Sequence, residues 1–217
     1  EPLVWEAIAL STEAGAKGMS AFIVDAKAAG LSVGRLIDKM GLRGCQWSEL
    51  VFDNVSIPVA NLLGAEGEGA AMLAEIQAIT GVAEGAIVVG IAQAAMEDAA
   101  KYSKQRIQFG RPIASFPAIQ NMLADMAANI HLTRLAVYHA AGIIDQGQRC
   151  AAEAAIIRLF AGRIGQSALI DAVQIEGGYG YSEDMVASRL YRDVKGVVIK
   201  NSSADFPEKT IAAEVLA

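Results

Sequence analysis

The apolar and polar positions of the chain fall into two regimes that meet near residue 65. Before that point, "MSAFIVDA", "GLSVGRLI" and "SELVFDNVSI" are short apolar or alternating runs separated by Gly, Asp and Pro, the pattern of strands and turns. "DNVSIP" followed by "NLLGAEGEG" is turn chemistry, and Gly64, Gly67 and Gly69 mark a loop. From about residue 70 the periodicity becomes helical. Ala70 to Lys104, rich in Ala and Ile and free of Pro, predicts a first long helix, which "RIQFGRPIASF" breaks with Gly and Pro. Pro117 falls in the first turn of a second helix, with Ser115 as its expected cap. Phe116, Ile119, Leu123, Met126 and Ile130 recur at spacings of three and four and define its buried face. A third helix is expected from Cys150 to Gln174, stopped by Gly177–Gly178. A shorter one is expected from Glu183 to Lys195, and Pro207 opens a last one. The predicted fold is mainly α with a β part: a β-rich unit over residues 1–68, then an up-down helical bundle over residues 69–217.

Composition narrows the possible partners. Hydrophobic residues make up 53% of the 217 positions, and mean hydropathy is +0.35. The apolar excess points to a core plus a subunit interface, hence an oligomer. No membrane span is expected, because Gln93 interrupts the most apolar run and Glu97 and Asp98 follow it. A net charge of −6 with no basic stripe argues against nucleic acid. Cys45 and Cys150 are far apart and match no metal or redox spacing, so reduced thiols in a bacterial cytoplasm or mitochondrial matrix are expected. The opening "EPLVWEAIAL" has neither Met nor a signal-like stretch and reads as a trimmed or incomplete chain.

Two stretches carry candidate chemistry. "RIQFGRPI" gathers Arg106, Gln108, Phe109 and Arg111 at a helix-to-helix turn. It reads either as a turn with solvated arginines or as an anion site, in which a guanidinium forks onto phosphate oxygens beside an aromatic ring. "QIEGGYGY" places Gln174 ahead of Gly177 and Gly178, then Tyr179 and Tyr181. This is either a helix stop with aromatic packing or a backbone that a pyrophosphate can approach closely. His131 and His139 are two turns apart, too far to chelate, and Met72, Met96, Met122 and Met126 read as core filler.

Several long stretches occur together and in order: "KGMSAFIVDA", "GLSVGRLIDKMGLRG", "ELVFDNVSIPVANLLGAEGEG", "GIAQAAMEDAAKYSKQRIQFGRPIASFPAIQNMLADMA" and "QIEGGYGYSEDMVASRLYRDVK". In these the chain resembles the C-terminal two thirds of an acyl-CoA dehydrogenase. The resemblance implies part of a middle β-domain followed by a C-terminal helical bundle. It also implies FAD held between subunits, oxidation of an acyl-CoA thioester across its α and β carbons, and electron-transfer flavoprotein as electron acceptor. The residues implied to grip the adenosine-pyrophosphate half of FAD are Arg106, Gln108, Phe109, Gln174, Gly177 and Gly178. Glu176 is unusual at its place and sets a carboxylate near the phosphates.

On the substrate side the chain departs from the family pattern. Asn201 occupies the position where the family carries its catalytic Glu, so no catalytic residue is assigned there, and an amide does not accept a proton at neutral pH. The alternative base position on the first bundle helix holds Ala78, with Thr80 and Gly81 following and the expected arginine missing. Glu84, one turn beyond Thr80, is the weak remaining candidate. The expected role is therefore a base-lacking subunit of a hetero-oligomer, α2β2 in one arrangement, that completes the FAD site of a homologous partner holding the acyl-CoA. A self-contained dehydrogenase, with a base relocated to Glu84, Asp205 or an N-terminal region and assembled as a homotetramer, is the second expectation. A non-catalytic scaffold is the third.

Overall fold

The computed structural model describes residues 18–201 and 206–216, which form two compact units. The first comprises residues 18–39 and 43–77; the second comprises residues 40–42 and those from 78 onward.

In the first unit, β1 (Ala21–Phe22), β2 (Leu31–Ile37), β3 (Trp47–Phe52) and β4 (Leu62–Leu63) form two antiparallel pairs, β1 with β4 and β2 with β3. The register of β2 on β3 shifts between Val33 and Leu36, the mark of a bulge. The expected strand "MSAFIVDA" shortens to two paired residues, because the chain turns at once. The Lys27 and Ala28 N–H groups donate to the Asp25 side chain and carbonyl respectively.

Helix α1 (Gly69–Gln105) is, by length and composition alone, apolar enough to cross a membrane despite the Gln93 interruption. In the second unit that apolar character is spent on a protein core. Val88, Ala92, Ala95 and Ala99 are buried together with Met126, Ile130, Leu169 and Val194. Gln93 itself donates to Glu97 one turn on and accepts from Arg134.

After α1 come β5 (Ile107–Gln108), β6 (Arg111–Pro112) and a single 3-10 turn, Ile113–Ser115, then α2 (Pro117–Asp145), α3 (Ala151–Glu176), α4 (Val186–Asn201) and α5 (Phe206–Leu216). The stretch expected as a simple break is thus a miniature hairpin. Ser115 does not cap α2. Its hydroxyl donates to the Pro112 carbonyl inside the 3-10 turn, and Phe116, with extended backbone, takes the cap position without a side-chain bond. The predicted face of α2 is seen: Met126 and Ile130 are buried, with Ile119 and Leu123 packed on the same core. His131 and His139 lie exposed on that helix.

Helix α4 starts and ends later than "SEDMVASRLYRDVK" suggested. Ser182 to Asp184 form a turn, in which the Asp184 N–H donates to the Ser182 hydroxyl. Gly196 does not stop the helix, because it makes room for Leu42: a Cβ there would stand 2.8 Å from Leu42 Cδ1. The neighbouring Leu42 N–H donates to the Asp193 carboxylate at 2.6 Å, so the "RDVK" frame anchors the Met40–Leu42 segment.

Gly85 decides how closely α1 meets α3. A Cβ at this position would collide with Ile157 Cγ2 and stand 3.1 Å from Val137 Cγ2. Gly85→Ala is expected to destabilise the bundle by about 1–3 kcal/mol through overpacking, measured by urea denaturation.

Candidate functional site

Helix α1 presents Asp98 and Tyr102 at successive turns, and Arg106 follows directly after its last residue, its N–H donating to the Tyr102 carbonyl. The chain then reverses through a two-residue turn, Phe109–Gly110, between β5 and β6. Both turn residues have positive φ, +51° and +78°, the signature of a hairpin turn that suits the right-handed strand twist. Gly110 adopts that conformation freely, whereas Phe109 pays about 1–2 kcal/mol for it. The turn displays Phe109 at its tip, 93% exposed, edge-on to Phe116 with ring centroids 6.2 Å apart. The Arg111 guanidinium lies over the Phe116 ring at 4.4 Å.

The other wall comes from the end of α3. Gly177 terminates that helix with φ +62° and donates its N–H to the Val173 and Gln174 carbonyls. No atom lies within 4 Å of where a Cβ would stand on Gly177 or Gly178, so the backbone there is bare and approachable.

These walls enclose an open cleft of about 710 Å³. Arg106, Gln108, Gly177 and Gly178 line it together, so four of the six residues singled out from two separate motifs meet in one place. The other two do not line it. Phe109 stands out at the turn tip, and Gln174 is exposed on α3 one turn before the glycines. Tyr102, Tyr179 and Asp184 also line the cleft, and the Tyr102 and Tyr179 rings face each other at 6.4 Å. Sequence reading missed Tyr102, although its spacing of four from Arg106 at the end of the predicted first helix was a usable signal. Asp184 gave no comparable signal.

Glu176 is the anomaly of the cleft. It lines the cavity, is 1% exposed, and neither carboxylate oxygen has a hydrogen-bond partner. Burial first, and then the like charge of Asp98, push its carboxyl up to about 7. With both groups ionised there is no donor between them. A proton on either creates a hydrogen bond, which raises the carboxyl further. The folded protein therefore holds more protons than the unfolded chain between the ordinary carboxylate range and about pH 7, and stability falls as pH rises through that window. Glu176→Gln is expected to flatten the fall and to add about 1–3 kcal/mol above it, discounted for the open cleft. Urea denaturation at several pH values measures this.

The substrate-side positions lie elsewhere. Asn201 is the last residue of α4, and Asp205 falls outside the described residues. Ala78, Thr80 and Gly81 follow one another on α1, and Glu84, one turn further, is buried. The absence of an arginine at position 81 has a packing counterpart. The stem of Arg158 from α3 lies across Gly81, where a Cβ would stand 2.8 Å from its Cδ. Among the described residues, no group of three or more His, Cys, Asp or Glu could hold a metal ion.

The donor set suits a phosphate-bearing ligand: one guanidinium, bare backbone and flanking aromatic rings, with the carboxyls of Glu176 and Asp184 opposing it. The family model for the acyl-CoA dehydrogenase C-terminal domain matches residues 68–215, and that for the middle domain matches residues 4–55. The chain is 42% identical over 202 residues to an acyl-CoA dehydrogenase of Bacillus subtilis, covering 93% of this chain and 53% of the relative. It is 36% identical over 202 residues to the caffeyl-CoA reductase-Etf complex subunit CarC of Acetobacterium woodii, again covering 93% and 53%. The structure of butyryl-CoA dehydrogenase from Megasphaera elsdenii superposes with a TM-score of 0.92 at 36% identity, over 97% of this chain and 55% of that one. The chain thus spans about half the length of the curated relatives it matches. By motif, family model and fold alike, this chain belongs to the acyl-CoA dehydrogenase family.

Proposed function

We propose that this chain is an FAD-associated subunit that completes the flavin site of a homologous dehydrogenase partner acting on an acyl-CoA thioester. The observation that carries the reading is the convergence of Arg106, Gln108, Gly177 and Gly178 on one cleft from just beyond the C-terminal ends of α1 and α3. FAD supplies the hydride acceptor when bound; the residues here do the holding. Arg106 pairs with the pyrophosphate charge, and the bare Gly177–Gly178 backbone permits close approach. Phe109, displayed beyond the cleft, offers an apolar ring to the assembled site. Electron-transfer flavoprotein is the proposed electron partner, in keeping with a relative that is itself part of an Etf complex. The sister subunit would supply the base that Asn201 does not.

A second reading keeps catalysis within this protein and is favoured by the buried carboxylate of Glu84 on the helix that also carries Ala78 and Gly81. One experiment separates the two. Anaerobic bleaching of bound flavin by a short-chain acyl-CoA is followed in the protein alone, in the protein mixed with a co-purifying homologous subunit, and in Glu84→Gln. Bleaching only in the mixture supports the hetero-oligomer. Rapid bleaching in the protein alone, abolished by Glu84→Gln, overturns it in favour of the second reading.

A further inference from the structure

Glu176 poses a problem for any anionic ligand of the cleft, and the solution defines its role. A carboxylate at 1% exposure without a hydrogen-bond partner is costly by itself. It becomes costlier when a pyrophosphate enters the cavity that it lines. Arg106 is the one cation lining that cavity, and Glu176 and Asp184 oppose it. Asp98 of α1 acts directly on Glu176, and the titratable and charged groups that share its cavity are Tyr102 of α1, Arg106 just after it, and Tyr179 and Asp184 in the loop after α3. Helices α2 and α4 add none to the cleft among the described residues. With the Arg106 guanidinium given over to the phosphates in this reading, relief of the repulsion comes from solvent, as a proton.

We propose that Glu176 is a ligand-contacting residue of this cleft and meets a pyrophosphate-bearing cofactor as a neutral hydrogen-bond donor, one proton being taken up by the Glu176–Asp98 pair as the cofactor binds. The inference rests on the reading of the cleft as the FAD phosphate site. The balance is simple: a solvent proton joins the pair, the like-charge contact disappears, and as the cofactor enters, the one O–H of Glu176 turns from Asp98 to donate into the cleft. The carboxyl already stands near neutrality in the free cleft, so the uptake falls in an accessible pH range. A bound anion raises it further, and affinity must then fall as pH rises.

Isothermal titration of the flavin-stripped, assembled protein with FAD tests this, at about pH 6.5 and about pH 8.5 and in buffers of different ionisation enthalpy. FAD is a suitable probe because its bridging pyrophosphate keeps one charge state over this range. Affinity is expected to drop about tenfold or more between the two pH values, with a binding enthalpy that varies with the buffer and reports proton uptake. Glu176→Gln, a permanent neutral donor of the same shape, is expected to bind equally at both. Asp98→Asn, which leaves Glu176 in place but removes what raises it besides burial, is expected to move the fall in affinity to lower pH than in the unaltered protein. Affinity and enthalpy independent of pH and buffer in the unaltered protein overturn the inference and leave the phosphate reading standing. A Glu176→Gln protein with the original slope does the same. Absence of FAD binding at both pH values overturns the phosphate reading and the inference with it. If Glu176→Gln fails to fold, the buffer dependence of the unaltered protein still decides.

Discussion

Purified without a sister subunit, the protein is expected to bleach flavin with an acyl-CoA about 10²–10⁴-fold more slowly than a base-bearing member of the family. That range is the usual worth of a positioned general base. The argument turns on one functional group. The Asn201 amide offers a carbonyl oxygen that accepts hydrogen bonds, but it does not hold a proton at neutral pH. On the proposed reading, an acyl-CoA offered to this chain alone finds no group at position 201 to take its α-proton. Asn201→Glu is expected to recover only part of the rate, because Ala78 and Gly81 also depart from the family pattern and Arg158 fills the space beside Gly81. Single-turnover absorbance of the bound flavin is the measurement. A rate within about tenfold of a base-bearing homologue would place the base elsewhere in this protein.

Arg106→Ala is expected to weaken retention of FAD in the assembled protein by about 10- to 100-fold, the equivalent of roughly 1.5–3 kcal/mol for a charge-assisted phosphate contact. The effect is large because, among the described residues, Arg106 is the only cation lining the cleft, against Glu176 and Asp184. Arg111→Ala is the matched control: its guanidinium rests on the Phe116 ring outside the cleft, so the hairpin should loosen without comparable loss of cofactor. The concentration at which flavin fluorescence appears on dilution reports retention. Equal loss from both variants would mean that the hairpin's shape, and not a phosphate contact, holds the flavin.

The long helices were legible because their signals are local. Pro at the start of α2, the glycines at the end of α3 and the three-four spacing of Met126 and Ile130 all act within a few residues. What stayed hidden depended on partners distant in sequence. Gly196 looks like a helix stop until Leu42 is seen packed against it. Ser115 looks like a cap until its hydroxyl is spent on Pro112. The two-residue strands β5 and β6 are too short to alternate, so only the paired backbone reveals the hairpin. For the site, the motifs gave Arg106 and the Gly177–Gly178 pair, and the oddity of Glu176 was visible as a residue type out of place. Its burial beside Asp98 was not visible, because α1 and α3 must pack before the two acids meet.

The left-handed backbone at Phe109 carries a consequence for how this sequence can change. A selection acting on the heat resistance of the lone chain would favour glycine or asparagine at the tip of that hairpin, since either relaxes the turn and removes a bare aromatic ring from water. Such a variant would outlast its parent in a thermal screen while losing grip in the assembly. Durability of the part and service to the whole pull position 109 in opposite directions, and this chain has kept the phenylalanine.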